Sequence, residues 1–314
     1  MDTTAPDTVQ WRAVGLFIAI AMGAAFALDA VCAATGGLGT PLATVLMAVR
    51  MFSPALGSWA ACRLVTSEPW LRAAALRRAA SGRGGWGRVL TSALIGVAVV
   101  LVATAVCLMA AIMAGWLEAD WSLSRLMAQS SAVAPDKPMP PPGVLLALIT
   151  LQTLIGGCTV NVVLALGEET GWRGWLLGAL APLGARRAVA LTGAVWGLWH
   201  APLIAMGYEY AYQIPAAVGI ALFTLFCMGF GTLLAWLRTR SGSILPAAIA
   251  HGTLNAFGSF PVLLLAPGHT WRTVTSSIAG LPGVLLFAIV AAALLSARRV
   301  KVVPEVKVTG STES

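Results

Sequence analysis

Residues 89–116 read VLTSALIGVAVVLVATAVCLMAAIMAGW, a run without one charged side chain. At about 1.5 Å of rise per residue, a helix of this length exceeds the roughly 30 Å of hydrocarbon in a bilayer. Only a helix satisfies every backbone amide of such a run internally, so the run predicts a membrane-spanning helix. Working outward, seven more apolar runs are long enough to cross: 14–34, 42–65, 144–167 (extending to 177 if the helix continues), 189–206, 215–237, 244–265 and 278–297. The expected fold is therefore all-α, a polytopic integral membrane protein of about eight transmembrane helices. Residues 1–11 form a short cytoplasmic lead, 12–297 the membrane domain and 298–314 a polar cytoplasmic tail expected to be disordered.

Composition agrees. Charged residues make up 10% of the 314, hydrophobic ones 58%, and the mean hydropathy is +0.84. Soluble domains carry about 25% charged residues, so too few charges are present to cover a water-exposed surface. The net charge of +8 does not point to nucleic acid, because the basic residues sit between the apolar runs. Arg72, Arg77, Arg78, Arg83 and Arg88 follow the second run, Arg186 and Arg187 the fourth, and Arg238 and Arg240 the sixth. Arg298, Arg299, Lys301 and Lys307 follow the eighth. The alternate loops hold only Arg125, Lys137 and Arg272, beside Glu118, Asp120, Asp136 and Glu209. Basic residues on every second loop predict eight crossings of the cell membrane with both termini in the cytoplasm. Cys32, Cys62, Cys107, Cys158 and Cys227 are scattered through apolar runs without a C-x-x-C pair and read as small core residues. Asp2 and Asp7 ahead of Arg12 weaken any signal-peptide reading, so the first run is taken as a helix that stays. Residues 117–143, ending in Pro138, Pro140, Pro141 and Pro142, read as a surface loop or interfacial turn.

A charge within a span costs roughly 2.5–3.5 kcal/mol on insertion scales, which marks the few present as functional candidates. Asp29 and Arg50 lie in the first two runs and can pair with each other. In Gly167-Glu168-Glu169-Thr170-Gly171-Trp172-Arg173, Glu169 and Arg173 share a helical face four residues apart, while Glu168 is turned about 100° away. One acid can pair with arginine and leave its neighbour free to act as a general base; a plain ion pair at a helix end is the alternative. Trp196 and His200 share a face of the fifth run, after the close-packing pattern Gly193-x-x-x-Gly197. His251 and Asn255 share a face of the seventh, where imidazole and amide can donate to an oxyanion or bond between helices. Counted from the cytoplasmic helix ends, His200 lies roughly 16 Å deep, His251 roughly 10 Å, and Glu168 roughly 14 Å if its helix reaches residue 177. All three can then meet at one level. The run 144–177 exceeds a bilayer, so it must tilt, break near Gly156-Gly157 or end early. H-E-x-x-H, G-x-S-x-G and a phosphate-binding G-K-[ST] loop are all missing from the sequence.

Glu168-Glu169-x-x-x-Arg173, Trp196-x-x-x-His200 and His251-x-x-x-Asn255, in this order on consecutive apolar segments, resemble the three motifs of the CPBP family. That family comprises the type II CaaX prenyl endopeptidases and the bacterial Abi proteins. The resemblance covers residues 144–257, within a protease-like core of about 144–265, and Trp196 stands where the family more often has Phe. It implies an intramembrane endopeptidase whose site opens to the cytoplasm. By similarity, Glu168 and His200 activate water, His251 and Asn255 bind the oxyanion, and Glu169, Arg173 and Trp196 support them. A zinc ion on Glu168, His200 and His251, or no cofactor at all, fits the same residues. The implied partners are membrane lipid and a peptide or lipidated protein substrate, with no nucleic acid. A proton-coupled transporter or a non-catalytic immunity or scaffold protein are the competing readings.

Overall fold

The computed structural model describes residues 8–73, 85–133 and 139–302. Asp2 and Asp7, the arginines Arg77, Arg78 and Arg83, the Asp136-Lys137-Pro138 stretch and the expected disorder of the tail beyond Val302 lie outside the described residues. Among those described, the chain is all-α, with one isolated bridge between Ala119 and Leu265.

Helix α1 covers Trp11–Ala34. The second crossing, Pro41–Thr66, is made of α2 (Pro41–Arg50), α3 (Ser53–Ala61) and a π-helical turn, Cys62–Thr66. Thr40 caps α2 by accepting the Ala43 amide at 3.1 Å, and Pro41 fits the first turn, where no amide is needed. The break at Met51-Phe52 precedes Pro54. Helix α4, Trp86–Met113, contains most of the uncharged run 89–116. The connection after it is not only loop: it holds α5, Ser124–Val133. Asp120 starts that helix by accepting the amides of Ser122 at 2.9 Å and Ser124 at 2.8 Å. These bonds and those of both hydroxyls hold its carboxyl well below the usual carboxylate range.

The long fourth run, Pro142–Ala179, is too long for a straight crossing and breaks. Helix α6, Pro142–Cys158, stops at Thr159, beside Gly156-Gly157, and α7, Val160–Glu169, continues as a π-helix over Thr170–Leu176. The acids therefore sit inside a continuing helix rather than at an interface. The fifth run departs from expectation. It is split into α8, Ala185–Trp199, and α9, Ala201–Ala205, around His200, because Pro202 cannot donate to the preceding turn. Among the described residues seven stretches are long and apolar enough to span, and the split fifth run is the expected crossing outside that count. The split segment still carries the chain from one end of the bundle to the other. Helices α10 (Ala216–Ser241), α11 (Leu245–Phe257) and α12 (Leu281–Ser296) complete the bundle.

Two close approaches fix the centre. A side chain at Gly193 or Gly197 would meet the α10 backbone at Met228 or Thr224, at 2.6 and 2.5 Å from their Cα atoms. One at Gly252 would meet the Gly157 carbonyl at 2.6 Å, so α11 lies against the break between α6 and α7. Large apolar side chains such as Leu90, Leu94, Val102 and Met113 on α4 and Leu285 and Ile289 on α12 face outward, as lipid contact requires. Four cysteines are buried and Cys158 is half-buried, and no disulfide joins them.

Candidate active site

The π-helical turn that follows Glu168-Glu169 is buried from Thr170 to Leu176. Such widened turns occur often at functional sites. Glu168 is 2% exposed and accepts two indole N–H bonds on Oε2, from Trp196 at 2.6 Å and from Trp172 at 3.3 Å. It forms no ion pair among the described residues. Glu169 is fully buried and accepts from Arg173 Nη1 at 2.8 Å, the pair that the i, i+4 spacing allows. The same oxygen, Oε1, also meets His251 Nδ1 at 2.9 Å. Glu169 therefore ties α7 to α11, a link the sequence spacing alone does not reveal. The Arg173 guanidinium lies over the Trp196 ring, 4.1 Å from its centroid.

His200 occupies the junction of α8 and α9 and stands in an aromatic enclosure, with the Trp199 and Phe223 rings each 4.7 Å from it and Tyr208 at 6.2 Å. Its Nδ1 is 2.9 Å from the Trp196 carbonyl. A carbonyl only accepts, so Nδ1 carries the proton and the neutral ring keeps its lone pair on Nε2. Behind it, Arg50 and Asp29 form the pair expected of them, at 2.6 and 3.1 Å. Arg50 also bonds the Trp199 carbonyl and stacks on that indole, 3.6 Å from the centroid.

Glu168, Trp196, His200, His251 and Asn255 all line one cavity of about 800 Å³. Glu169 and Arg173 stand behind the wall and do not line it. The cavity runs from these residues to one end of the bundle, where Arg125, Glu209, Gln213, His269 and Thr270 border it. That end is closed by the connections after α4, α9 and α11: Asp120 N bonds the Leu264 carbonyl at 2.7 Å, and Gln213 bonds the Trp271 carbonyl at 3.1 Å. It is the end opposite the described basic positions Arg186, Arg187, Arg238 and Arg240. The loop Gly207–Gln213 there is strained, with Glu209, Ala211 and Tyr212 at φ of 62°, 44° and 60°. Non-glycine residues in this region cost about 1–3 kcal/mol each and cluster at functional sites. Burial pushes the Glu209 carboxyl up to about 7, against a hydrogen bond from Tyr208 that lowers it.

The residues do not fit a zinc site. Among the described residues no three His, Cys, Asp or Glu side chains are placed to share an ion. Trp172, Trp199, Arg50 and Glu209 are wall or support residues that the motifs did not include. Trp172, four residues after Glu168, was within reach of the same spacing argument that paired Glu169 with Arg173.

Residues 147–257 match the family model described as "Type II CAAX prenyl endopeptidase Rce1-like". A curated relative, "CAAX prenyl protease 2" of Methanococcus maripaludis, is 34% identical over 92 residues, which make up 28% of this chain and 34% of that protein. The chain thus aligns with about a third of that relative's length. The matched stretch holds every one of the three motifs, and residues 147–257 are similar to the Rce1-like type II CAAX prenyl endopeptidases.

Proposed function

We propose that this chain is an intramembrane endopeptidase that hydrolyses a peptide bond of a membrane-associated or lipidated, CaaX-like polypeptide, using water activated by Glu168 and His200. The observation that carries this reading is the convergence of Glu168, His200, His251 and Asn255 on a single cavity within an apolar bundle. A cavity of about 800 Å³ has room for water and a peptide segment together, since one water occupies about 30 Å³ of liquid.

The indole donors of Trp196 and Trp172 hold the Glu168 carboxylate in one orientation. Glu168 takes a proton from water, and the water oxygen attacks the scissile carbonyl carbon. His200, with its Nδ1 proton committed to the Trp196 carbonyl, has Nε2 available to accept the second water hydrogen and orient the nucleophile. Negative charge then gathers on the former carbonyl oxygen, and Asn255 Nδ2 and the Nε2–H of an imidazolium His251, whose Nδ1–H donates to Glu169, donate to it. Glu169, bonded to His251 Nδ1, fixes the ring so that Nε2 can reach. When the carbon–nitrogen bond breaks, Glu168 returns its proton to the leaving amine. Proton, water and both products balance without another reactant.

Cleavage of a quenched, prenylated C-terminal peptide by the purified protein in detergent tests this, beside Glu168→Ala and His200→Ala. Loss of cleavage in both variants, with normal insertion, is expected. Undiminished cleavage by either variant refutes the assignment.

A further inference from the structure

A buried cation lines the cavity from the second crossing. Arg50, the last residue of α2, is 1% exposed and borders the cavity beside Met47 and Met51. Its partner Asp29, on α1, does not line it. A guanidinium carries five N–H donors in a fixed fork. Three of them are engaged: Nε donates to Asp29 Oδ1 at 2.6 Å, and Nη2 donates to Asp29 Oδ2 at 3.1 Å and to the Trp199 carbonyl. The remaining donors are on Nη1, which makes no hydrogen bond among the described residues. Buried donors are rarely left unpaired, and a carboxylate is the acceptor that best suits a guanidinium in charge and geometry.

Arg50 also stands close to the reacting groups. Both contact Trp199, whose ring centroid is 3.6 Å from the Arg50 guanidinium carbon and 4.7 Å from the His200 ring. An extended chain advances about 3.3–3.6 Å per residue, so Arg50 is within reach of a group about two or three residues from a peptide bond held at His200. Glu168 and Glu209 line the same cavity and repel a carboxylate, which therefore settles only beside a cation. Arg125, the other lining arginine among the described residues, is exposed at the rim. We infer that Arg50 is a specificity-determining residue, whose Nη1 binds a carboxylate of the substrate and sets the distance from that carboxylate to the bond cut. Asp29 and the Trp199 ring hold the guanidinium in place while its free edge serves the ligand. The bond cut rests on the peptidase reading; the carboxylate site does not.

Three quenched peptides of one sequence test this: one with a free C-terminal carboxylate, one with a C-terminal amide, and the amide with Asp in place of Asn three residues from the end. The parent should cleave the free acid or the Asp peptide about tenfold or more above the plain amide in kcat/KM, as a bond to a charged group implies. The preferred one of the two tells a terminal from a side-chain carboxylate. Asp29→Leu with Arg50→Met removes the pair without leaving an unpaired buried charge. In that double variant the preference should shrink to within about twofold, while Arg125→Gln keeps it. A purely structural pair would lower all three rates together and leave their ratios unchanged. Where the double variant does not insert, Arg50→Lys takes its place; it keeps the charge beside Asp29, loses the planar fork and should lose most of the preference. A parent that treats the three peptides alike, a preference that survives without the Arg50 fork, or one lost in Arg125→Gln overturns the assignment. Labelled forms of the same peptides, bound to Glu168→Ala protein and read by fluorescence anisotropy, should show the same preference without cleavage. Carboxylate-selective binding with no cleavage by the parent removes the peptidase reading and leaves the site standing, whereas unselective binding removes the site.

Discussion

Gly197→Ala separates packing from chemistry, and its size follows from the geometry. The added methyl would lie 2.5 Å from Thr224 Cα and 2.8 Å from Thr224 Oγ1. Carbon atoms settle at about 3.5–4.0 Å, so α8 must retreat from α10 by about 1 Å. The nearest atom is helix backbone and the Thr224 hydroxyl is held on the Ile220 carbonyl at 2.7 Å, so no flexible side-chain tip can yield instead. Trp196 and His200 flank Gly197 and move with it. The bond from Trp196 Nε1 to Glu168, at 2.6 Å, then stretches toward about 3.6 Å, past hydrogen-bond range. Overpacking costs about 1–3 kcal/mol of stability. A displacement of about 1 Å in a catalytic group can cost on the order of 100-fold in rate. The assay pairs thermal unfolding of the purified protein with Glu168-dependent peptide cleavage. Gly23→Ala is the control, because nothing lies within 4 Å of its added methyl and alanine favours a helix over glycine by about 0.5–1 kcal/mol. Gly193→Ala, one turn further from His200, should lose comparable stability and less activity. If Gly197→Ala unfolds alongside Gly23→Ala and keeps its rate within about threefold, the close approach does not position the site and the reasoning fails.

Asp29→Ala should destabilise the protein by about 3–5 kcal/mol, because it leaves Arg50 buried without its counter-ion; adding Arg50→Met should recover much of that in the same unfolding assay. Trp196→Phe keeps the aromatic ring and deletes the shorter indole bond to Glu168, so kcat/KM should fall about tenfold or more, as the loss of a bond to a charged group implies. Glu209 binds its proton more tightly folded than unfolded, so its contribution to stability is complete below about pH 4.5 and is lost as pH rises to about 7. Unfolding temperatures measured across that window should decline, and Glu209→Gln should flatten the decline. Chelators should leave peptide cleavage unchanged, since no three His, Cys, Asp or Glu side chains among the described residues are placed to share an ion; a rate that collapses with chelator and returns with zinc would contradict that.

The candidate site residues stand out in the sequence more sharply than the details of the helices around them, for a physical reason. In apolar helices each polar residue is costly, so Glu168, Glu169, Arg173, His200, His251 and Asn255 stand out without any structure. Their i, i+4 spacings assigned faces correctly: Arg173 does pair with Glu169. Hydropathy could not see that the fifth crossing is split at His200, because length and apolarity survive a break that only Pro202 signals. Nor could it place the cavity mouth. That depends on where three loops meet, through backbone bonds such as Asp120 to Leu264 that carry no signature in side-chain pattern.

The link from Glu169 to His251 was also hidden, and it changes the logic of the motif. Read along the chain, the second acid pairs with arginine and the first is free. In three dimensions the first acid is held by neutral indole donors, while the second is shared between Arg173 and His251 on one oxygen. The adjacent acids therefore divide two tasks across one helical turn: Glu168 faces the cavity with no counter-ion to neutralise it, and Glu169 carries the ion pair and orients the histidine. Swapping the tasks by exchanging charge should fail asymmetrically. Glu169→Gln keeps an acceptor for either Arg173 or His251 but not a charge for both, so it should lose stability as well as rate, whereas Glu168→Gln should lose rate with the fold intact. Equal stability losses in the two variants, measured by unfolding in detergent, would mean that the carboxylates share both tasks.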